Sequence, residues 1–517
     1  MRKENSIKNI ITAMIGQVFG VIIGLIGRFV FVKILSKEYL GLNGLFTNIL
    51  TILSLVELGV GSAITYSLYK PLAEKDTEKI KSLMNIYKKL YIIIGVAILI
   101  LGMCLIPFLP KLINEMPQID VNINLVYALF VINTACSYFF SYKRTLIVSD
   151  QKKYIATICK YISFFALNVV QIVILLISKD YIAYLIAQII FTIIENLMIS
   201  KESDKLYPYL KENNAKPLIK QEKKEIKKNI GAIILHKIGG VVVNATDNLV
   251  IAKYVGLGAV GLYSNYYLIT NALQLTLSQF FTSTTASIGN LAITDNKEKL
   301  YDIFKKIYFM NYWIYSFVSI CLFVIFNDFI NVWIGNEFII DMPIVFVIVL
   351  NFFIAGMRKT VLTFRDALGL YYQDRKKPVV ESIVNLVISI ILAKKYGIIG
   401  VFIGTTISTL GIAFWWESLI LYKYGLKENV VKYYGKTIIY FITALTTGSI
   451  TFILANLLFK DANIINLIGK LAVCVIIPNM IYYCLYRKNS YFTYFKQIFI
   501  NVKRRHSFGK DNENTTD

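Results

Sequence analysis

The chain has 517 residues, of which 56% are hydrophobic and only 17% charged; its net charge is +23 and its mean hydropathy +0.58. A soluble globule of this length has no use for so much apolar surface, and the cations fall in the breaks between apolar runs, which points them at an anionic membrane face rather than a nucleic acid. Two histidines, His236 and His506, and six cysteines without a CxxC pair argue against a metal centre or a disulfide framework.

The first apolar run, Ile10 to Ile34, is long and has no small-residue cleavage site, so it reads as a membrane span and not as a secretory signal. Runs long enough to cross a bilayer, about 20 residues each, then follow one another. We place spans at 9–34, 40–67, 86–113, 122–148, 154–178, 181–200, 230–253, 258–290, 306–334, 342–368, 378–397, 398–422, 437–459 and 463–486. The expectation is an all-α polytopic membrane protein of about fourteen helices. Twelve is the alternative count, because Lys179-Asp180 and Lys394-Lys395 are the sole breaks within 154–200 and 378–422.

Lysine and arginine collect on the cytoplasmic side of membrane proteins. With the N-terminus inside, about forty cations fall in inner breaks and the tail, against fewer than ten outside. Both termini are therefore expected in the cytoplasm. An internal repeat is also visible: residues 29–53 align with 249–273, matching Lys33 to Lys253 and Gly41-Leu42 to Gly261-Leu262, while IYKKLY (86–91) echoes IFKKIY (303–308) and SDQKKY (149–154) echoes QDRKKP (373–378). An even number of spans separates the copies, so two parallel six-helix lobes are expected, related by an axis along the membrane normal. The predicted organisation is an N-terminal lobe at 1–200, a basic cytoplasmic linker at 201–229, a C-terminal lobe at 230–422, two further helices within 423–486, and a cytoplasmic tail at 487–517 whose polar end, 507–517, should be disordered.

Charges inside spans cost at least about 2.5 kcal/mol at the bilayer centre, so those present are the site candidates. Arg28 and Asp247 stand at similar depth in repeat-equivalent spans and could pair as an outer gate. Arg358 and Arg365 are two helical turns apart on one face, and Asp366 follows; guanidinium forks suit phosphate oxygens. Glu57 lies within the second span, as a packing carboxylate or an ion site. Lys143 and Arg144, at the cytoplasmic end of the fourth span, are candidates for an entrance, or ordinary membrane anchors. With no GxxxxGK[ST] motif, neither ATP hydrolysis nor any other cofactor is expected.

The stretches VELGVGSAITYSLYKPLAEKDTEKI (56–80), YKRTLIVSDQKKYI (142–155) and TDNLVIAKYVGLGAVGLYSNYYLI (246–269) resemble the polysaccharide-type flippases of the multidrug/oligosaccharidyl-lipid/polysaccharide exporter superfamily. The resemblance runs from Ile10 to about Tyr486. It implies a non-enzymatic carrier in the bacterial plasma membrane that turns undecaprenyl-pyrophosphate-linked oligosaccharide outward by alternating access, for capsule or exopolysaccharide. Polysaccharide polymerase, glycosyltransferases and membrane lipids would be its partners. Cationic cavity residues of that family correspond in position to Arg28, Arg358 and Arg365. A lipid II flippase is the alternative, and a membrane-embedded polysaccharide polymerase the more distant one, since the outer breaks are too short to carry a catalytic loop.

Overall fold

The computed structural model describes residues 2–57, 60–113, 119–139, 141–212, 246–294 and 297–497, and every regular element among them is helical. Most of the predicted seventh span, both histidines, the linker beyond Glu212 and the end of the tail lie outside these residues. In chain order the longer helices are α1 (Arg2–Ile34), α2 (Lys37–Leu53), α3 (Val60–Glu74), α4 (Thr77–Cys104), α5 (Ile123–Tyr138), α6 (Ser141–Ser149), α7 (Lys153–Ile177), α8 (Tyr181–Leu206), α9 (Leu257–Thr294), α10 (Lys297–Ile334), α11 (Met342–Ala367), α12 (Lys377–Tyr396), α13 (Ile398–Leu426), α14 (Val431–Leu458) and α15 (Ile464–Tyr486). The chain forms two compact units, residues 1–276 with 375–412 and residues 277–374 with 413–517.

Among the described residues nine helices are long and apolar enough to span a membrane, ten if the bent pair α5 and α6 is one span. Two predicted spans are broken. The one predicted at 40–67 is divided into α2 and α3, of 17 and 15 residues, by a tight turn at Ser54–Glu57. The one at 122–148 bends by 43° between α5 and α6. A bend within a bilayer leaves carbonyls that something must satisfy. Here Asn196 of α8 donates its Nδ2 to Cys136 O at 3.2 Å, and Ser141 Oγ donates to Ser137 O at 2.6 Å. The breaks predicted at Lys179-Asp180 and Lys394-Lys395 are helix ends: Asp180 caps α8 by accepting from Ile182 N at 2.7 Å, and Gly397, at φ +64°, turns α12 into α13.

In the first unit α1 is apolar on both faces but in two different ways. Ile11, Ile15, Val18, Ile22 and Ile26 recur at helical spacing and are exposed, as a lipid-facing stripe must be. The other face carries Gly16, Gly20 and Gly27, against which α7 packs closely: a Cβ on Gly16 would lie 2.0 Å from the Tyr161 ring, and one on Gly27 would lie 2.6 Å from Asn168 Oδ1. Small residues matter here because lipid supplies no hydrophobic drive between helices, leaving close contact to do that work.

The two copies of the repeat touch through equivalent glycines. A Cβ on Gly41 would sit 2.2 Å from Leu257 O, and one on Gly261 would sit 2.2 Å from Lys37 O. Gly41→Val and Gly261→Val are each expected to cost about 1–3 kcal/mol by overpacking a backbone contact that cannot yield. Gly435→Val, where nothing stands within 4 Å, serves as the control. Thermal aggregation midpoints of the three variants in detergent check this, and equal midpoints would remove the contact from the account.

The second unit packs through aromatic rings. Tyr312 of α10 stacks on Tyr440 of α14 at 4.0 Å, and Tyr308 shares a 2.6 Å hydrogen bond with Thr437. Trp313 Nε1 donates to Asn479 Oδ1 at 2.8 Å. A half-buried ion pair ties α15 to its neighbours: Lys470 Nζ lies 2.6 Å from Asp328 Oδ2 and 2.7 Å from Asn456 Oδ1.

Candidate functional site

A cavity of about 480 Å³ lies in the first unit, walled by α1, α2, α7, the helical stretch at 246–254 and the start of α9. Periodicity explains which side chains reach it. Gln17, Gly20, Gly24 and Arg28 form one stripe of α1, while Ser264, Leu268, Asn271 and Leu275 form one stripe of α9. Four pairs on its wall stand at the repeat offset: Arg28 and Asn248, Gly44 and Ser264, Thr47 and Tyr267, Asn48 and Leu268.

The chemistry is cationic and rich in amides, and no Asp or Glu among the described residues lines the cavity. Arg28 Nη1 donates to Ser264 Oγ at 3.3 Å, and the guanidinium has no carboxylate partner among the described residues. Asn248 Oδ1 is buried without a hydrogen-bond partner among the described residues. Asn43 Oδ1 accepts from Tyr181 at 2.8 Å, which leaves its amide N–H groups to offer to a ligand. Tyr161 and Tyr267 add ring faces, and the exposed Lys160 stands beside Tyr161. Together these groups suit a ligand with phosphate oxygens and many hydroxyls.

Asp247 does not contact Arg28 in this structure; it accepts from Thr405 Oγ1 at 3.3 and 3.4 Å. Asn385 Nδ2 donates to Thr405 Oγ1 at 3.0 Å and to Ser408 Oγ at 3.2 Å, while its fully buried Oδ1 has no donor. No three His, Cys, Asp or Glu side chains cluster among the described residues. An oxygen-only set with a single carboxylate suits a small hard cation.

The other predicted residues are held by partners. Arg358 forks onto Glu417, with Nε to Oε2 at 2.9 Å and Nη2 to Oε1 at 2.6 Å. Arg365 binds Asp366 at 2.7 Å and, by Nη1, Asp374 of the following turn. The two arginines therefore share a helix but not an open anion cradle, because each meets a nearby carboxylate. Lys143 Nζ pairs with Asp204 at 2.7 Å and Ser200 at 2.7 Å, and Arg144 pairs with Glu195, so both tie α6 to α8. Glu57 stands in the turn between α2 and α3 and accepts from Tyr91 at 3.4 Å.

Sequence reasoning missed the amides Asn43, Asn248 and Asn271. The repeat alignment carried the signal for Asn248, because extending it by one position sets Asn248 opposite Arg28.

An all-helical chain of two units with this cavity has the fold of the multidrug/oligosaccharidyl-lipid/polysaccharide exporters. It is similar to the lipid II flippase MurJ in its inward closed conformation, with 16% identity, TM-score 0.67, and 93% of this chain matched to 99% of that one. It is similar also to an inward-facing multidrug resistance MATE transporter of the same superfamily, at 14% identity, TM-score 0.64 and coverage of 80% and 98%. The Vibrio cholerae MATE transporter VcmN follows the same fold at 13% identity and TM-score 0.55, over 82% and 99% of the chains. No curated protein matches by sequence. The model of the polysaccharide biosynthesis protein family matches residues 6–286, more than half of the chain, and the protein belongs to that family.

Proposed function

We propose that this protein carries undecaprenyl-pyrophosphate-linked oligosaccharide from the inner to the outer leaflet of a bacterial plasma membrane by alternating access, with both termini cytoplasmic, for capsule or exopolysaccharide assembly. The observation that carries the reading is the Arg28 cavity: an arginine with no carboxylate partner among the described residues, walled by amides and phenols, in a chain of a polysaccharide biosynthesis family. Arg28 takes the pyrophosphate, and the amides and tyrosines take the sugar. Arg358 and Arg365 become phosphate contacts only where the substrate displaces Glu417 or Asp374. Lys143 and Arg144, held by α8, shape the cytoplasmic entrance. Asp247, with Thr405 and Asn385, holds the coupling cation, and Glu57 and Asp366 act in gating. Glycosyltransferases would supply the substrate and a polymerase would consume it.

The test is transport in proteoliposomes loaded with fluorescent lipid-linked oligosaccharide, read by quenching from outside. Transport should require the wild-type cavity and respond to a sodium gradient, and Asp247→Asn should abolish the sodium response. A wild-type protein that moves no lipid-linked sugar under any gradient ends the proposal. A second reading, lipid II transport, is favoured by the likeness to the lipid II flippase over 93% of the chain. Lipid II in the same vesicles separates the two by rate.

A further inference from the structure

The first unit has a larger cavity, of about 870 Å³, at the end of the bundle where the α3–α4 turn, the α6–α7 turn and the segment after α8 meet. Both turns are built with care. Lys75 and Gln151 each take a left-handed backbone, at φ 57° and 61°, a cost that persists only where surrounding contacts fix the conformation. Those contacts are Asp76 N to Pro71 O at 2.9 Å and Lys152 N to Ile147 O at 3.0 Å. From α1, Asn9 clamps the second turn, giving Nδ2 to Gln151 O at 2.9 Å and taking Tyr154 N at 2.6 Å.

The charges around this cavity do not balance. Asp150 is taken up on one oxygen by Tyr207 at 2.7 Å and Lys152 at 2.8 Å, and Lys152 also lies 5.4 Å from the centre of the Tyr207 ring. Among the described residues the one carboxylate partner of Lys70 is the exposed Glu74 at 3.9 Å, a contact worth little in water. Lys75 has no carboxylate partner among the described residues. Phenols and hydroxyls complete the wall: burial, and then Asp150, push Tyr209 up to about 12, so it stays a neutral O–H donor. Leu72 and Ile80 give the wall an apolar side.

We propose that this cavity is a docking site for the phosphate of an anionic lipid headgroup of the inner leaflet, with Lys70 and Lys75 as its ammonium contacts and Tyr209 as a hydroxyl donor. It rests on the orientation given under the proposed function. It is separate from the Arg28 cavity, with which it shares no lining residue. A volume of this size accommodates a whole headgroup, and lysine is the point-charge partner for a phosphodiester lying at a membrane surface.

The experiment uses the full chain in phosphatidylcholine nanodiscs containing phosphatidylglycerol, with lipid retention read by native mass spectrometry. Lys70→Glu with Lys75→Glu should lower phosphatidylglycerol retention about tenfold and leave phosphatidylcholine unchanged. Lys70→Gln with Lys75→Gln, gentler on folding, should lower it less. Arg28→Ala should keep phosphatidylglycerol at the wild-type level whether or not the transport reading holds, so the two proposals fail separately. Undiminished retention in both lysine variants overturns the site. Inorganic pyrophosphate that binds equally tightly without lipid, and displaces phosphatidylglycerol, overturns its assignment to a lipid.

Discussion

Arg28→Ala is expected to lower transport of the lipid-linked sugar about 10- to 100-fold while the protein inserts at normal abundance. The reason is that Arg28 closes no ion pair among the described residues. Among the described residues its one hydrogen bond is a 3.3 Å contact to Ser264, and no carboxylate there loses a partner when the guanidinium is removed. Hydrogen bonds to a charged group are worth about 1.5–3 kcal/mol each, which sets the size of the loss if the pyrophosphate is its partner. Lysine should restore part of the rate, because the charge returns without the fork. Transport and membrane abundance are to be measured on the same cells. A fall in abundance that matches the fall in transport would make Arg28 structural, and unchanged transport would remove it from the cavity's work.

Arg358→Ala is expected to do the opposite, lowering abundance first. Glu417 is only 1% exposed, and removing the guanidinium takes away a donor to each of its two carboxylate oxygens. Breaking such a pair from one side costs about 3–5 kcal/mol, whereas replacing both partners with apolar groups is close to neutral. Arg358→Met together with Glu417→Leu should therefore recover much of the abundance that Arg358→Ala loses. If Arg358→Ala instead accumulates normally and only transport stops, the arginine is a substrate contact and the pair with Glu417 is expendable. Arg365→Ala should fall between these cases, since one of its partners, Asp366, is 38% exposed and can turn to water.

Much of the fold was legible because hydrocarbon imposes a one-dimensional rule: about 20 apolar residues, then a polar break. That rule located the ends at Lys179-Asp180 and Gly397, where capping and a positive φ agree with it. It failed where polar side chains satisfy a broken backbone inside an apolar run, as Asn196 does for the α5–α6 bend. Nothing in the local sequence of 122–148 announces a helper sixty residues away. The candidate site divides along the same line. Arg28 was visible as a costly charge, but whether a buried arginine is open or paired depends on residues distant in sequence, and Glu417 stands 59 positions from Arg358. The spacing of Arg358 and Arg365 along one face was legible; the carboxylates that take up that face were not.

The meeting of Gly41 and Gly261 is isologous, the kind of contact two identical subunits make across a twofold axis. In a true homodimer one codon would set both sides, and any side chain there would clash twice. Within one chain the two positions are free to change separately, so the seam can tolerate a substitution on one side that a symmetric dimer would have to bear on both. The two copies have already diverged next to it: Lys37 corresponds in the repeat to Leu257, and Gly44 to Ser264. A pair of repeats in one chain can thus keep a symmetric contact point while placing a guanidinium in one copy and an amide in the other, an asymmetry of charge that no dimer of identical halves could hold.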